Sequence, residues 1–411
     1  MVEAELILAA AIVLAFYVAT NLGANDVANS FATSVGSKAI ALAQALAIAG
    51  IMEFIGAVWL GSRVSQTLAA DVVVPDPSLA PKIFIAGMLS VMLACGIWLQ
   101  MATSLSLPVA SSHAVVGALA GFGWVAMGPP AIHWSQLAII SLSWLVVPLA
   151  SAVVAAALYS LLRWEILTHP FPQQQWAEWL PWLSALMCGI FGWLGFSRSP
   201  SFLPTEGIWE QIPSHDWYLL LWVVATVGLT WWNGLVKNNL AGGIEAKFAR
   251  LQIISASFVA FAHGSNDVGN AIAPLAAIAH LLHSPNTATT NFTVPIWILL
   301  LGGSGIVLGL AIWGKRVITT VGSEIIPLQP SSGFCAEIAT AITVLLASQA
   351  GVPVSTSHAL VGGVVGIALV QGIKSLSYRP LRRIAGAWLG TVPATIFLGA
   401  VIFHFLQLTF L

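Results

Sequence analysis

The feature that most constrains the fold of this chain is a succession of apolar runs, each long enough to cross a lipid bilayer. A membrane-spanning helix needs about 20 predominantly apolar residues, and the stretches 5–22 and 82–101 reach this length with a single charged residue at one end. Only 7% of the 411 residues are charged, whereas a soluble domain carries about 25%. We therefore predict an all-α membrane protein.

Twelve transmembrane helices account for the apolar runs. We predict them near 5–22, 39–61, 82–101, 113–127, 135–162, 180–196, 216–232, 251–263, 295–314, 334–350, 357–372 and 383–410. Basic residues concentrate in the loops on the side away from the N-terminus, most densely at 374–383. Because cytoplasmic loops carry the excess of Lys and Arg, we expect both termini outside the cytoplasm, in a bacterial-type inner or plasma membrane. The net charge of −1 argues against a nucleic-acid partner, which would need a basic patch; the expected surrounding is membrane lipid.

Two short phrases occur twice, in the same order in each half of the chain. GANDVANS at 23–30 and GSNDVGNA at 264–271 agree at five of eight positions, and PVASSHAVVG at 108–117 and PVSTSHALVG at 353–362 agree at seven of ten. An odd number of predicted spans precedes the second copy, so this copy should enter the membrane from the opposite face. Such inverted-topology repeats are typical of secondary transporters, which bind their substrate near the bilayer midplane between the copies.

The repeats suggest three parts. We assign 1–162 to the first inverted repeat, 163–250 to a connector with two transmembrane helices and a loop rich in Trp and Pro, and 251–411 to the second inverted repeat. Both kinds of phrase are expected to be broken or re-entrant helices at the midplane, because non-helical backbone is tolerated there only against protein or water.

The Pro-Ser phrases suggest an anion site. Pro108 and Pro353 disfavour helix for the residue before them, and the hydroxyl residues that follow are placed as helix N-caps. The N-terminus of a helix presents unpaired N–H groups and the positive end of the dipole to an anion. The hydroxyl residues predicted to bind a tetrahedral oxyanion are Ser111, Ser112, Thr356 and Ser357.

The Asn-Asp phrases suggest a cation site next to that anion. A carboxylate at the midplane costs at least about 2.5 kcal/mol on insertion scales, and a bound cation or a proton would offset this cost. The predicted ligands of a hard cation such as Na⁺ are Asn25, Asp26, Asn29, Asn266, Asp267 and Asn270, of which Asn25, Asp26, Asn266 and Asp267 are also predicted to face the anion. Two further carboxylates inside spans, Glu53 and Glu337, do not align with each other in the repeat, and we predict coupling roles for both.

These phrases predict a secondary active transporter that moves an oxyanion together with Na⁺ or H⁺, with no other cofactor. A channel would need a continuous polar lining and no coupling, and an enzyme would need a nucleophile–base pair, a metal cluster or a nucleotide loop, none of which the sequence offers. Phosphate is favoured over sulfate because an ionised Asp only accepts hydrogen bonds. Phosphate carries protons that it can donate to such a carboxylate, whereas sulfate has none. A sulfate permease and, in a different class, an anion channel remain the alternatives, and a homodimer is compatible with the sequence.

The chain resembles the inorganic phosphate transporters of the PiT type. The resemblance rests on GANDVANSFATSVGSKAI, GSNDVGNAIAPLAAI, LPVASSHAVVG, VPVSTSHALVG and SSGFCAEIATAITVLLAS, and it covers the chain apart from the middle connector. It implies twelve helices in inverted repeats and import of phosphate coupled to Na⁺ or H⁺. It also implies that Asp26 and Asp267 are the essential aspartates of the family, and that Glu53 and Glu337 are its functionally sensitive glutamates.

Overall fold

Thirteen α-helices form the part of the chain that the computed structural model describes. This part comprises residues 2–73, 81–105, 107, 109–196, 223–224, 227–228, 243–283, 293–321, 328–372 and 376–410. The helices are α1 (Val2–Asp26), α2 (Ala28–Gly36), α3 (Leu42–Leu60), α4 (Ser62–Gln66), α5 (Pro81–Ser104), α6 (Ser111–Met127), α7 (Trp134–Leu162), α8 (Pro172–Phe196), α9 (Ile244–His283), α10 (Ile296–Val321), α11 (Pro330–Gln349), α12 (Thr356–Gln371) and α13 (Tyr378–Phe410). The all-α prediction is confirmed for these residues.

Seven helical segments of the described part are long and apolar enough to cross a membrane. They are Glu3–Gly36, Leu42–Leu60, Pro81–Ser104, Trp134–Leu167, Ile296–Lys315, Pro330–Gln349 and Tyr378–Thr409. The count of twelve stays a prediction, and the span expected at 216–232 lies almost wholly outside the described residues.

The helices α6 and α12 are shorter than a full span. They contain 17 and 16 residues, which at 1.5 Å per residue is about 24–26 Å, less than the hydrocarbon thickness of about 30 Å. Each follows a longer helix, α5 or α11, and packs against it. The Pro-Ser phrases therefore form the turns of two helical pairs, and their hydroxyl residues open the second helix of each pair.

The expectation that the Asn-Asp phrases break the helix is wrong for the second phrase, whereas the first phrase contains a one-residue interruption between α1 and α2. The second phrase lies inside α9, which is continuous from Ile244 to His283, so the span predicted at 251–263 is much too short. The first phrase is interrupted only at Val27, whose φ of −55° and ψ of −28° remain helical. The glycines of both phrases serve close helix contacts rather than turns: a Cβ on Gly23 would meet the carbonyl oxygen of Ile306, and a Cβ on Gly264 that of Glu53.

The predicted N-caps are also displaced by one residue. Ala110 and Ser355 occupy the cap positions with extended backbone, and the predicted residues Ser111 and Thr356 are the first residues of the helices. Ser355 caps α12 by accepting a hydrogen bond from the N–H of His358. Ala110 has no side-chain acceptor, so α6 begins without such a cap. Pro108 lies outside the described residues.

The two copies are interleaved. The helix α1 packs mainly on α10, while its counterpart α9 packs on α3; likewise α6 packs on α13, while α12 packs on α7. Glycine contacts at these helix crossings occur in both copies. Gly56 contacts the backbone of Phe261 on α9, and Gly309 contacts the backbone of Thr20 on α1 in the equivalent way. Each half thus completes its packing with helices of the other half, and the repeated phrases lie at this shared interface.

Candidate ion-binding site

Four segments converge at one buried point: the α1–α2 junction, the middle of α9 and the first turns of α6 and α12. Oxygens of Asp26 and Asp267 and a ring nitrogen of His263 all lie within 4.8 Å of one another. Asn270 on α9 donates to the Oγ of Ser111 at 3.2 Å, and Thr356 donates to Oδ2 of Asp267 at 3.0 Å. The fold therefore brings the Asn-Asp and Pro-Ser phrases of both copies together.

The asparagines before the two aspartates attach the Pro-Ser turns. Asn25 donates through Nδ2 to Oγ1 of Thr103 and to the carbonyl oxygen of Leu107, both at 3.2 Å. The Nδ2 of Asn266 makes the corresponding bonds to Ser348 at 3.0 Å and to the carbonyl oxygen of Val352 at 3.1 Å.

The amide oxygens of these asparagines differ between the copies. Oδ1 of Asn266 accepts the N–H of Val354 at 3.1 Å. Oδ1 of Asn25 is buried and has no hydrogen-bond partner among the described residues. Only the first copy therefore leaves this oxygen free for an ion.

The two aspartates share one contact and differ in the rest. Oδ1 of each accepts a hydrogen bond from the asparagine three residues later, at 3.3 Å from Asn29 and at 3.4 Å from Asn270. Oδ2 of Asp267 also accepts from Thr356 and lies 2.9 Å from Nε2 of His263. Oδ2 of Asp26 is buried without a hydrogen-bond partner in the described part of the chain. A bare carboxylate oxygen of this kind is the ligand that a hard cation takes.

The Pro-Ser turns present hydroxyls and helix N-termini to the same region. The Oγ of Ser112 is fully buried and finds no partner among the residues described. The hydroxyls of Ser355 and Ser357 lie 2.8 Å apart. Because α6 and α12 both begin here, the positive ends of two helix dipoles point into the site, as binding of an anion requires.

His263 is a component of the site that the sequence reasoning missed. It lies one turn before Asp267 on α9, and its Nδ1 lies 3.2 Å from Oε1 of Glu53, which also accepts from Ser30 at 3.2 Å. Neither ring nitrogen makes an aligned hydrogen bond with a described residue, and the two contacts are ion pairs when the imidazole is protonated. The signal was available: residues four apart on a helix are neighbours, and a histidine directly precedes GSNDVGNA.

Glu337 lies in a separate polar cluster. Its Oε1 accepts from Thr33 at 2.6 Å, from Ser34 at 2.7 Å and from Gln252 at 3.1 Å, and its Oε2 accepts from Ser255 at 2.5 Å. These donors come from α2 and α9, so the carboxylate connects three helices of the two copies. Its coupling role stays a prediction, and the partners found here could not be read from the sequence because Thr33 is 304 positions away.

Apolar helices around a buried site of paired carboxylates, hydroxyls and helix N-termini define a membrane transport protein. The model of the family described as "Phosphate transporter family" matches residues 22–399. The chain belongs to this family, so it is an integral membrane protein that transports phosphate and is not an enzyme.

Similar proteins span nearly the whole chain. The protein named "Putative phosphate permease" from Thermococcus kodakarensis is 34% identical over 400 residues, with 97% of each chain covered. A relative of the same name from Chlamydia trachomatis is 37% identical over 426 residues, covering 98% of this chain and 99% of the relative. A solved structure described as "The sodium-dependent phosphate transporter" superposes with a TM-score of 0.90 at 33% identity, covering 98% of this chain and 99% of that chain.

Proposed function

We propose that the protein imports inorganic phosphate by symport with Na⁺ through alternating access. The observation that carries this proposal is the approach of Asp26 and Asp267 to within 4.8 Å beneath the N-termini of α6 and α12. Two buried carboxylates this close repel each other and any anion, unless a cation or a proton neutralises them. A cation that neutralises them makes room for phosphate, and neither ion can then bind well alone.

The proposed cation ligands are oxygens of the Asn-Asp phrases. Asp26 offers an unpartnered Oδ2, and Asn25 and Asn270 each offer a buried amide oxygen without a partner among the described residues. Asp267 and Asn29 complete the proposed set. Asn266, whose polar atoms bond to the end of α11 and to the second Pro-Ser turn, serves chiefly to position that turn.

The proposed phosphate ligands are the hydroxyl residues that open the two short helices. Ser111 and Ser112 approach from α6, and Thr356 and Ser357 approach from α12, each with the N–H groups of a first helical turn. The bond from Thr356 to Asp267 connects the anion side to the cation side. Glu53 and Glu337 are proposed to couple binding to the change of exposure, Glu53 through its contact with His263.

Sodium is the proposed driver because the similar solved structure is that of a protein named as a sodium-dependent phosphate transporter. The repeat organisation proposed for 1–162 and 251–411 is supported by the paired contacts of Gly23 and Gly264. The orientation with both termini outside rests on the distribution of basic residues.

The test is uptake of labelled phosphate into proteoliposomes, with Na⁺ and pH gradients imposed separately and sulfate as competitor. Accumulation driven by an inward Na⁺ gradient and unaffected by excess sulfate is expected. Accumulation of phosphate with the pH gradient alone would indicate that H⁺ and not Na⁺ drives transport. Equilibration of phosphate without accumulation would indicate a channel.

A further inference from the structure

We propose that Glu53 acts through His263: the two form a built-in ion pair that positions Asp267, and Glu53 does not itself hold the coupling cation. Glu53 is then a positioning residue. This inference rests on the proposed function, since it concerns how Asp267 is prepared for cation and phosphate.

The geometry is a chain of contacts between helices. Oε1 of Glu53 on α3 lies 3.2 Å from Nδ1 of His263, and Nε2 of the same ring lies 2.9 Å from Oδ2 of Asp267. The side chains of Glu53 and His263 are fully buried and that of Asp267 is 2% exposed. A ring with a carboxylate at each nitrogen fixes the direction in which the Asp267 side chain points.

The other copy of the fold contains an uncharged version of the same pair. Gly23 contacts the carbonyl of Ile306 as Gly264 contacts the carbonyl of Glu53, so Ile306 is the counterpart of Glu53. Leu22 precedes Gly23 as His263 precedes Gly264. Both counterparts are fully buried. The helix crossing therefore needs no charge at these positions, and the charged pair is explained by what it does to Asp267.

The competing explanation is that Glu53 binds the cation directly. Its Oε2 is buried and has no hydrogen-bond partner among the described residues, so this atom could serve as a ligand. The two explanations disagree on one point. If Glu53 only balances and orients His263, it becomes dispensable once the histidine is also replaced. If Glu53 binds the cation directly, its loss is still felt when the histidine is replaced.

Removing one member of a buried pair leaves the other as an uncompensated charge, which is strongly destabilising, whereas replacing both by well-packed apolar residues is often neutral or better. The substitutions that provide this packing are given by the other copy. Glu53→Ile with His263→Leu installs the residues that stand at the same crossing in the first copy.

The experiment compares the wild type, both single variants and the double variant in phosphate uptake into proteoliposomes, over a range of Na⁺ and phosphate concentrations. Each single substitution is expected to lower the initial rate by about tenfold or more. The double variant is expected to exceed the Glu53→Ile rate by about tenfold, with a half-saturating Na⁺ concentration within about threefold of the wild type. A double variant as slow as Glu53→Ile, or one whose Na⁺ requirement stays raised, overturns the proposal, as do single variants that transport like the wild type.

Two controls make the result specific. Combining His263→Leu with Glu337→Gln removes one basic and one acidic side chain, as the double variant does. Glu337 is bonded to hydroxyls and to an amide and not to His263, so no recovery of the uptake rate is expected. Thermal midpoints of the purified proteins test the pair without any gradient. The double variant should be more stable than either single variant, and a midpoint below both contradicts the ion pair. Failure of wild-type uptake to respond to Na⁺ contradicts the proposed function but leaves this thermal comparison intact.

Discussion

Replacing Asn266 by alanine should destabilise the protein more than the equivalent change at Asn25. Asn266 makes three hydrogen bonds, one to Ser348 at the end of α11 and two to the turn that follows, whereas Asn25 makes two, one to Thr103 at the end of α5 and one to the turn that follows. At about 1 kcal/mol for each bond, the losses are about 3 and about 2 kcal/mol. Asn266→Ala also leaves the buried N–H of Val354 unpaired, which adds about 1–3 kcal/mol. The expected difference between the two variants is therefore about 2–4 kcal/mol.

The assay is the unfolding of both variants and the wild type in detergent, together with hydrogen exchange of the peptide that contains Val354. Asn266→Ala should unfold first, and its Val354 amide should exchange faster than in the wild type. Asn25→Ala is the matched control, because it occupies the same place in the repeat and should leave exchange at Val354 unchanged. Equal stability of the two variants, or unchanged protection of Val354 in Asn266→Ala, would refute the reasoning that this asparagine holds the second Pro-Ser turn.

Three further predictions concern the site, the helix crossing and the surface. Asp26→Asn and Asp267→Asn should each abolish Na⁺-driven phosphate uptake while the protein still folds; wild-type-like uptake by either variant in proteoliposomes would falsify the proposed cation role. Gly264→Ala should lower uptake by about tenfold or more, because overpacking costs about 1–3 kcal/mol and the new methyl meets the backbone of α3; Gly390→Ala, where an added Cβ meets nothing within 4 Å, should transport normally. Lys82→Gln should change the stability by less than about 1 kcal/mol, because its ion pair is largely exposed, with 61% and 70% of the two side chains accessible, and exposed pairs contribute little; a larger loss on thermal unfolding would contradict this.

Long apolar helices such as α1 and α5 were predictable from apolar length, but the course of the chain at the site was not. The polar phrase GSNDVGNA suggested a break, yet α9 runs through it because the backbone bonds of a helix do not depend on the polarity of its side chains. The polar groups project from an intact helix toward partners on other elements, such as Ser348 and Thr356. The Pro-Ser turns were predictable because proline acts on the backbone itself.

The composition of the site was predictable where it repeats and hidden where it does not. Asp26 and Asp267 were identified because each lies in a copy of one phrase. His263 has no histidine at the equivalent position of the first copy, so the repeat gave no reason to single it out. Its partner Glu53 is 210 positions away on α3, and only the packing of α9 against α3 brings the two together.

The difference between the copies has a consequence for transport. If two inverted halves were identical, exchanging their conformations would convert the inward-open state into an equivalent outward-open state of the same free energy. The contacts of Gly23 and Gly56 are equivalent to those of Gly264 and Gly309, so these helix crossings do not favour one state. The charged side chains are unequal: Glu53 and His263 correspond to Ile306 and Leu22, and these charges lie on the side of Asp267. Since a two-state equilibrium shifts only through interactions that differ between the states, under the proposed alternating access the free-energy difference between the two exposures comes from such unpaired features, and the contacts of His263 with Glu53 and Asp267 are one of them among the described residues of the site.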